Sequence, residues 1–327
     1  MDFDLSTDQA ALRDAARELL DDRCAPTRVR KVHESGAGWD ADLWARMVEQ
    51  GWLGVTVPEA DGGLGLTELD VVLLAEEAGY AALPEPFVEH ALVGAPLVAP
   101  EDAGAADGTV TVTAGDPLAP YATAADRAVM LAPDAQIVRV ADSEFAAETS
   151  VDGSRRLGRL VATQDARPLT RAELSTAFWR GTLGYSAQLV GLARRMLAMS
   201  VEYVAERKQF GAPIGSFQAV KHHLAGVRIA IEFAAPLTYR AAYSLATGDP
   251  DAMLHCSMAK AQSADAAELA ARASLQCHGA MGYSYEYDLH LWMKRAWALA
   301  RTWGDASWHR DRVARAILDS PTKEPKR

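Results

Sequence analysis

The chain has 327 residues, 49% hydrophobic and 24% charged, and its 33 Lys+Arg against 44 Asp+Glu leave a net charge of -11. That length and composition exclude wholesale disorder and a single small module, and call for two or three subdomains around a sizeable core. The acidic balance opposes nucleic acid and anionic membrane surfaces, so any anionic ligand must be held by local cations.

The three cysteines, Cys24, Cys256 and Cys277, lie far apart without CxxC spacing, which fits neither a disulfide framework nor a structural zinc site. The N-terminus MDFDLSTDQAALRD has no cationic stretch followed by an apolar one, and no run reaches the roughly 18 apolar residues needed to span a bilayer. A cytoplasmic chain is expected.

Ser6 with Gln9 three residues on reads as a capping box, followed by Leu12, Ala15, Ala16, Leu19 and Leu20 at helical spacing. Leu43, Trp44, Met47 and Val48 predict a second helix ending at Gly51. After the Gly62-Gly63-Leu64-Gly65 loop, Thr67 opens a third with Leu69, Val72, Leu73 and Glu76. Residues 1–103 therefore read as an N-terminal helical domain.

From 104 to 166 the texture changes to a shortened middle β domain, with expected strands at Thr109–Thr113, Arg127–Leu131 and Gln136–Val140. Helical stripes return with Leu189, Leu192, Ala193, Met196 and Tyr203, then Val220, Leu224, Val227 and Ile231. Residues 167–320 read as a C-terminal helical bundle, with Pro236 expected to kink or break its second helix, and 321–327 as a frayed polar tail. The fold class is mainly α with a small β segment.

Two long segments carry a family likeness. YVAERKQFG, Tyr203 to Gly211, continuing as APIGSFQAVKHHLA to Ala225, resembles one C-terminal signature of the FAD-dependent acyl-CoA dehydrogenase family. QCHGAMGYSYEYDLHLWMKRA, Gln276 to Ala296, resembles the other, and Leu43 to Tyr80 looks like that family's N-terminal helices around a GGLG loop. The resemblance implies a helical N-terminal domain, a middle β domain and a C-terminal four-helix bundle. It also implies assembly as dimers or dimers of dimers, with FAD lying across a subunit interface.

By that resemblance Arg207 reaches the FAD pyrophosphate of the neighbouring subunit, a planar guanidinium being suited to bidentate phosphate contact. Phe210 meets the adenine end, and Gln209, Gln218 and the Gln276 to Gly279 turn complete the half-site, Gly279 allowing close backbone approach. His222 and His223 are helix neighbours facing different directions, without a carboxylate or cysteine at i+4, so no metal is expected. Trp292, Trp297, Trp303 and Trp308 lack a basic stripe and fit a helical core better than nucleic-acid stacking.

Dehydrogenation of an acyl-CoA removes an α-proton while hydride leaves the β-carbon for the flavin, which requires a carboxylate base. One family position for that base maps by ungapped counting onto Trp303, before Gly304 and Asp305, and the other onto Gly181. Indole cannot accept the proton. The Asp and Arg that flank the second position and grip CoA are replaced by Trp179 and Thr182, with Arg180 a possible substitute. The short middle segment also lacks a counterpart of the loops that cradle flavin within one subunit.

Base, CoA grip and in-cis flavin contacts are thus lost together, while the residues lent to a neighbour remain. The leading expectation is the short, non-catalytic subunit of an α2β2 acyl-CoA dehydrogenase of the kind found in actinobacterial steroid or lipid catabolism. Its partners would be a full-length catalytic subunit, an acyl-CoA substrate and an electron-transfer flavoprotein or similar acceptor. Two alternatives stand beside it: a self-sufficient homo-oligomer whose base is Asp305, or less well Glu286 or Glu173, and a non-enzymatic scaffold of the same fold.

Overall fold

The computed structural model describes residues 4–35, 39–122 and 124–319. The expected tail, 321–327, lies outside them. The N-terminal part holds α1 (Thr7–Arg23), α2 (Pro26–Ser35), α3 (Ala41–Glu49) and α4 (Glu68–Tyr80). A wide-turned π helix, Val88–Gly94, then runs into the short α5 (Ala95–Val98). The Ser6 and Gln9 capping box is present on α1, and Ala16 and Leu20 are its buried residues.

The middle segment builds one four-stranded sheet from β1 (Val112–Gly115), β2 (Arg127–Met130), β3 (Gln136–Arg139) and β6 (Ala166–Pro168), in that order. β1 runs parallel to β2, with Val112 opposite Arg127, and the other pairings are antiparallel. The first strand begins three residues later than its β-branched run suggests. Asp107 accepts hydrogen bonds from the backbone and hydroxyl of Thr109, and this turn removes the start of the run from the sheet. A separate hairpin, β4 (Ser143–Glu148) with β5 (Leu157–Thr163), was not expected, because the glutamates and alanines of β4 carry little strand propensity.

The C-terminal part consists of α6 (Arg171–Glu206), α7 (Gln218–Ala246), α8 (Ala252–His278), α9 (Leu289–Arg301) and α10 (Ala306–Leu318). A two-residue ribbon, β7 (Lys208–Gln209) with β8 (Ala212–Pro213), joins the first two. Pro236 does not break α7, which continues through it. It sits on the exposed face, where the carbonyl that loses its partner can turn to water.

One buried apolar cluster runs through all three parts, from Leu20 and Leu74 through Val112 to Leu192 and Trp292. Its closest packing is between α4 and α6. A Cβ on Gly79 would collide with the Gln188 carbonyl, and one on Gly191 with that of Glu76. Backbone lies on backbone there, and only glycine permits it. The same contact buries Glu76, which is held by Arg194 at 2.9 Å and by the Tyr239 hydroxyl at 2.7 Å. Of the late tryptophans, Trp292 and Trp303 are core residues, whereas Trp297 and Trp308 stand partly in solvent.

Candidate functional site

The end of α6, the start of α7 and the end of α8 meet at one end of the bundle over a small apolar cluster of Val204, Leu224 and Cys277. This cluster brings the two sequence signatures together. Arg207 caps α6, Gln218 opens α7, and Gln276 and Gly279 close α8. All four are exposed, and the Arg207 guanidinium has no carboxylate or hydrogen-bond partner among the described residues. Gln209 lies in the ribbon, its side-chain amide donating to the Lys208 carbonyl at 2.8 Å.

Phe210 forms the tip of that ribbon, 93% exposed and in the left-handed region at φ 53°, next to Gly211 at φ 80°. A bulky residue pays about 1 kcal/mol or more for this backbone, yet its ring meets only Phe217, with centroids 6.1 Å apart. The conformation displays the ring outward and contributes nothing to the core. Gly279, at φ 58°, has no atom within 4 Å of where a Cβ would be, leaving its backbone open to close approach.

The two positions counted for a base also meet. The side chain of Trp303 is 1% exposed and lies on Gly181, where a Cβ would sit 2.7 Å from its Cε2 and Cζ2 atoms. Tyr185 and Phe178 flank the indole edge-on, each at 6.0 Å. Trp303 is left-handed at φ 60° and Gly304 at φ 79°, and two buried groups hold this turn. His309 Nε2 donates to the Trp303 carbonyl at 2.8 Å. The Lys260 ammonium donates to the carbonyls of Gly304 at 2.9 Å and Ala300 at 3.2 Å. Burial pushes Lys260 down to about 7 and His309 down to about 4.

Residues 6–99 match the acyl-CoA dehydrogenase N-terminal domain and residues 173–318 the C-terminal domain. The chain is 30% identical over 298 residues to the acyl-CoA dehydrogenase IpdE2 of Mycobacterium tuberculosis, covering 87% of this chain and 89% of that one. The chain belongs to the acyl-CoA dehydrogenase family. Its fold superimposes on a chain of the ChsE4-ChsE5 complex from Mycobacterium tuberculosis with a TM-score of 0.90 at 22% identity, covering 98% and 100% of the two chains. A Tcur3481-Tcur3483 steroid ACAD matches with a TM-score of 0.86 at 25% identity, covering 95% and 98%.

Of the other carboxylates considered for an acyl-CoA dehydrogenase base, Asp305 and Glu173 have structural occupations. Asp305 caps α10, accepting from the Trp308 N–H at 2.8 Å. Glu173 closes the capping box of α6 with Thr170 and pairs with Arg167 at 2.9 Å; bonds from the Thr170 backbone and hydroxyl, outweighing slight burial, hold it below the usual carboxylate range. Glu286 is exposed. Arg180, the expected substitute in the CoA grip, is paired with Glu68 at 2.7 Å. Trp179 is buried, and the Thr182 hydroxyl donates to the Phe178 carbonyl at 2.8 Å. His222 and His223 are exposed, and no group of three or more metal-ligating side chains occurs among the described residues.

Two features escaped the sequence reading. His278 stacks on Tyr203 at 4.3 Å and tilts against Tyr287 at 4.8 Å, clamping the turn that carries Gly279. Its place inside QCHGAMG was the available signal. The second is a buried polar network between the three parts of the chain. Asp152, fully buried, accepts from Arg295 at 2.8 Å, His33 at 3.0 Å and the Ser154 hydroxyl at 2.7 Å. Burial alone would raise its pKa, but Arg295 and His33 override that and hold it far below the carboxylate range. Alongside, Arg155 donates to the Tyr185 hydroxyl at 2.9 Å, which donates to Glu89 at 2.5 Å. In sequence, DGSRR reads as an ordinary polar loop.

Proposed function

We propose that this chain is the non-catalytic subunit of a heteromeric, FAD-dependent acyl-CoA dehydrogenase, lending half of a flavin site to a full-length catalytic partner. The observation that carries the reading is the Trp303 indole packed on Gly181: both places at which this family keeps its base are filled by one apolar ring. At the same time Arg207, Phe210, Gln218, Gln276 and Gly279 stand together, exposed and uncommitted. An inward-facing site is closed and an outward-facing one is kept.

The outward residues fit the adenine-nucleotide end of FAD in their donor chemistry. Arg207 would bind the pyrophosphate through its fork of N–H donors, and Gln209 and Gln218 would donate amide hydrogens to phosphate or ribose oxygens. The open backbone at Gly279 would admit the ligand closely, and the Phe210 ring would stack on the base. FAD when bound supplies the hydride acceptor; the proton-abstracting carboxylate comes from the partner. Within this chain, Trp303 and the Asp152–Arg295 network exclude water and a second ligand from the corresponding interior.

The likeness to a chain of the ChsE4-ChsE5 complex supports a two-chain enzyme, and the likeness to a Tcur3481-Tcur3483 steroid ACAD supports a bulky steroid-derived or other lipid acyl-CoA as its substrate. An α2β2 assembly handing electrons to an electron-transfer flavoprotein or similar acceptor completes the proposal. No helix among the described residues is long and apolar enough to cross a membrane. Asp305 as base is disfavoured by its commitment as a helix cap.

Purification alone and after co-expression with a full-length, base-bearing acyl-CoA dehydrogenase subunit from the same organism, followed by flavin absorption and native mass of each sample, tests the proposal. Flavin only in the mixed sample, at a mass near two plus two chains, is expected, and Arg207→Ala should lower flavin content without unfolding the complex. A yellow homo-oligomer from this chain alone would overturn it.

A further inference from the structure

The residues of the exposed half-site sit on different helices. Arg207 follows the end of α6 and Gly279 the end of α8, so their spacing is set by packing and not by the chain that joins them. Both are tied to one group of aromatic rings. Arg207 donates its backbone N–H to the Tyr203 carbonyl at 2.9 Å, one helical turn back, and its own carbonyl accepts from the Ile214 N–H at 2.8 Å. Gly279 directly follows His278. The His278 imidazole lies on the Tyr203 ring, 24° from parallel with centroids 4.3 Å apart, and Tyr287, from the segment before α9, closes on it at 4.8 Å. Tyr203 and Tyr287 meet edge-on at 6.0 Å, so the three rings contact one another pairwise.

Hydrogen bonds fix the tilt of the imidazole. Its Nδ1–H donates to the Ser274 carbonyl at 2.7 Å, one turn back on α8, and the Ser274 hydroxyl donates to the Met196 carbonyl of α6 at 3.2 Å. A carbonyl only accepts, so Nδ1 carries the proton and Nε2 a lone pair. That Nε2 is buried without a hydrogen-bond partner, and burial lowers the pKa of the ring, which is therefore neutral at pH 7. An unsatisfied buried acceptor costs stability, and a leucine in the same place would avoid the cost. Leucine would not supply a flat surface, whose stacking permits only a narrow range of separations between α6 and α8. The turn beyond folds back on the same residue, since a Cβ on Gly282 would lie 3.2 Å from the His278 Cβ. The apolar cluster of Val204, Leu224 and Cys277 beneath adds cohesion, which has no direction of its own.

We propose that His278 is the positioning residue of the half-site: stacked between Tyr203 and Tyr287, it sets the distance from Arg207 to the Gln276 to Gly279 turn, so that one bound FAD meets both. At 3% exposed it touches no ligand itself and acts through Tyr203 on one side and Gly279 on the other. The proposal rests on the flavin reading and goes beyond it by placing control of affinity behind the site. The exposed residues make the contacts, and the imidazole makes them simultaneous. Contacts from two separate elements give their full affinity only where both are held in place before the ligand arrives.

The test reads FAD affinity in the complex with the catalytic partner, by flavin fluorescence on titrating the apoprotein, and backbone motion in the full chain alone, by amide hydrogen exchange. His278→Ala should weaken FAD about tenfold through lost preorganisation. His278→Phe, which keeps a flat ring between the two tyrosines, should restore most of that affinity. Leu224→Ala removes packing beneath the site but no ring of the stack, and should lower the unfolding midpoint while leaving FAD affinity near that of the parent. In the chain alone, His278→Ala should quicken exchange at Arg207, Ile214 and the Gly279–Tyr283 turn, but not in α4. The proposal is overturned, with the flavin reading intact, if His278→Ala binds FAD like the parent or leaves exchange unchanged. It is equally overturned if His278→Phe binds no better than His278→Ala, or if Leu224→Ala loses as much affinity as His278→Ala. A parent complex that holds no FAD would overturn both proposals, which sets that failure apart from the others.

Discussion

Replacing Trp303 with Ala separates a fixed filling from a movable cover. The indole is 1% exposed, and burying a side chain of its size, 150–250 Å², stabilises by about 4–6 kcal/mol. Two corrections apply. Its Nε1–H is buried without a hydrogen-bond partner, so removing it returns about 1 kcal/mol. The left-handed backbone at φ 60° is as strained for alanine as for tryptophan and cancels. Partial collapse around the void returns a little more, leaving a net loss of about 3 kcal/mol, within the usual span for tryptophan-to-alanine changes in cores. Urea unfolding followed by far-UV circular dichroism, which does not depend on the deleted fluorophore, measures it. The void should also take up a benzene-sized ligand and recover part of the loss. A cost under about 1 kcal/mol with no such recovery would mean that the ring swings aside in solution, and the reasoning that this interior is closed would fail.

Asp152→Ala strips a buried Arg295 of its partner and should cost about 3–5 kcal/mol by the same assay, whereas Arg46→Ala, at an exposed i,i+3 pair with Glu49, should change little. Gly191→Ala forces a methyl group into the Glu76 carbonyl and should separate α4 from α6, seen as loss of soluble protein or a destabilisation of several kcal/mol. Acid should destabilise the fold early. His90 and His309 are both lowered to about 4 by burial, so the unfolded chain takes up protons first and stability is lost as pH falls from about 6.5 toward 4. The depressed Asp152 adds a further loss only below about pH 4, where the unfolded carboxylate begins to protonate. His309→Gln should flatten the upper limb of that profile, and an unchanged slope would refute its assignment.

Much of the architecture could be read from periodicity because the signals were local. Ser6 with Gln9 and the stripe over Leu43 to Val48 specify their helices with no help from the rest of the chain. Pro236 misled because a local rule was applied without knowing which face of α7 it occupied, and the solvent face tolerates a missing donor. The β4–β5 hairpin was illegible because its strands are set by pairing across the register Ser143 to Thr163, not by composition. Spacing placed Trp303 and Gly181 at equivalent positions, but not in contact; that meeting depends on a left-handed turn fixed by Lys260, which lies more than 40 positions before Gly304 in the chain. The Asp152 network was invisible for the same reason, since its members come from α2, a loop and α9.

The helix α6 carries both the blocked interior position, Gly181, and the exposed cation, Arg207. Twenty-six residues of helix, at about 1.5 Å each, set them roughly 39 Å apart on one stiff rod. Sites spaced so widely share no side chain and no loop, so substitutions that close one leave the geometry of the other alone. A duplicated gene could therefore give up the chemistry at one end of this rod while still serving its sister chain with the other, and a division of labour between two subunits requires no redesign of the fold.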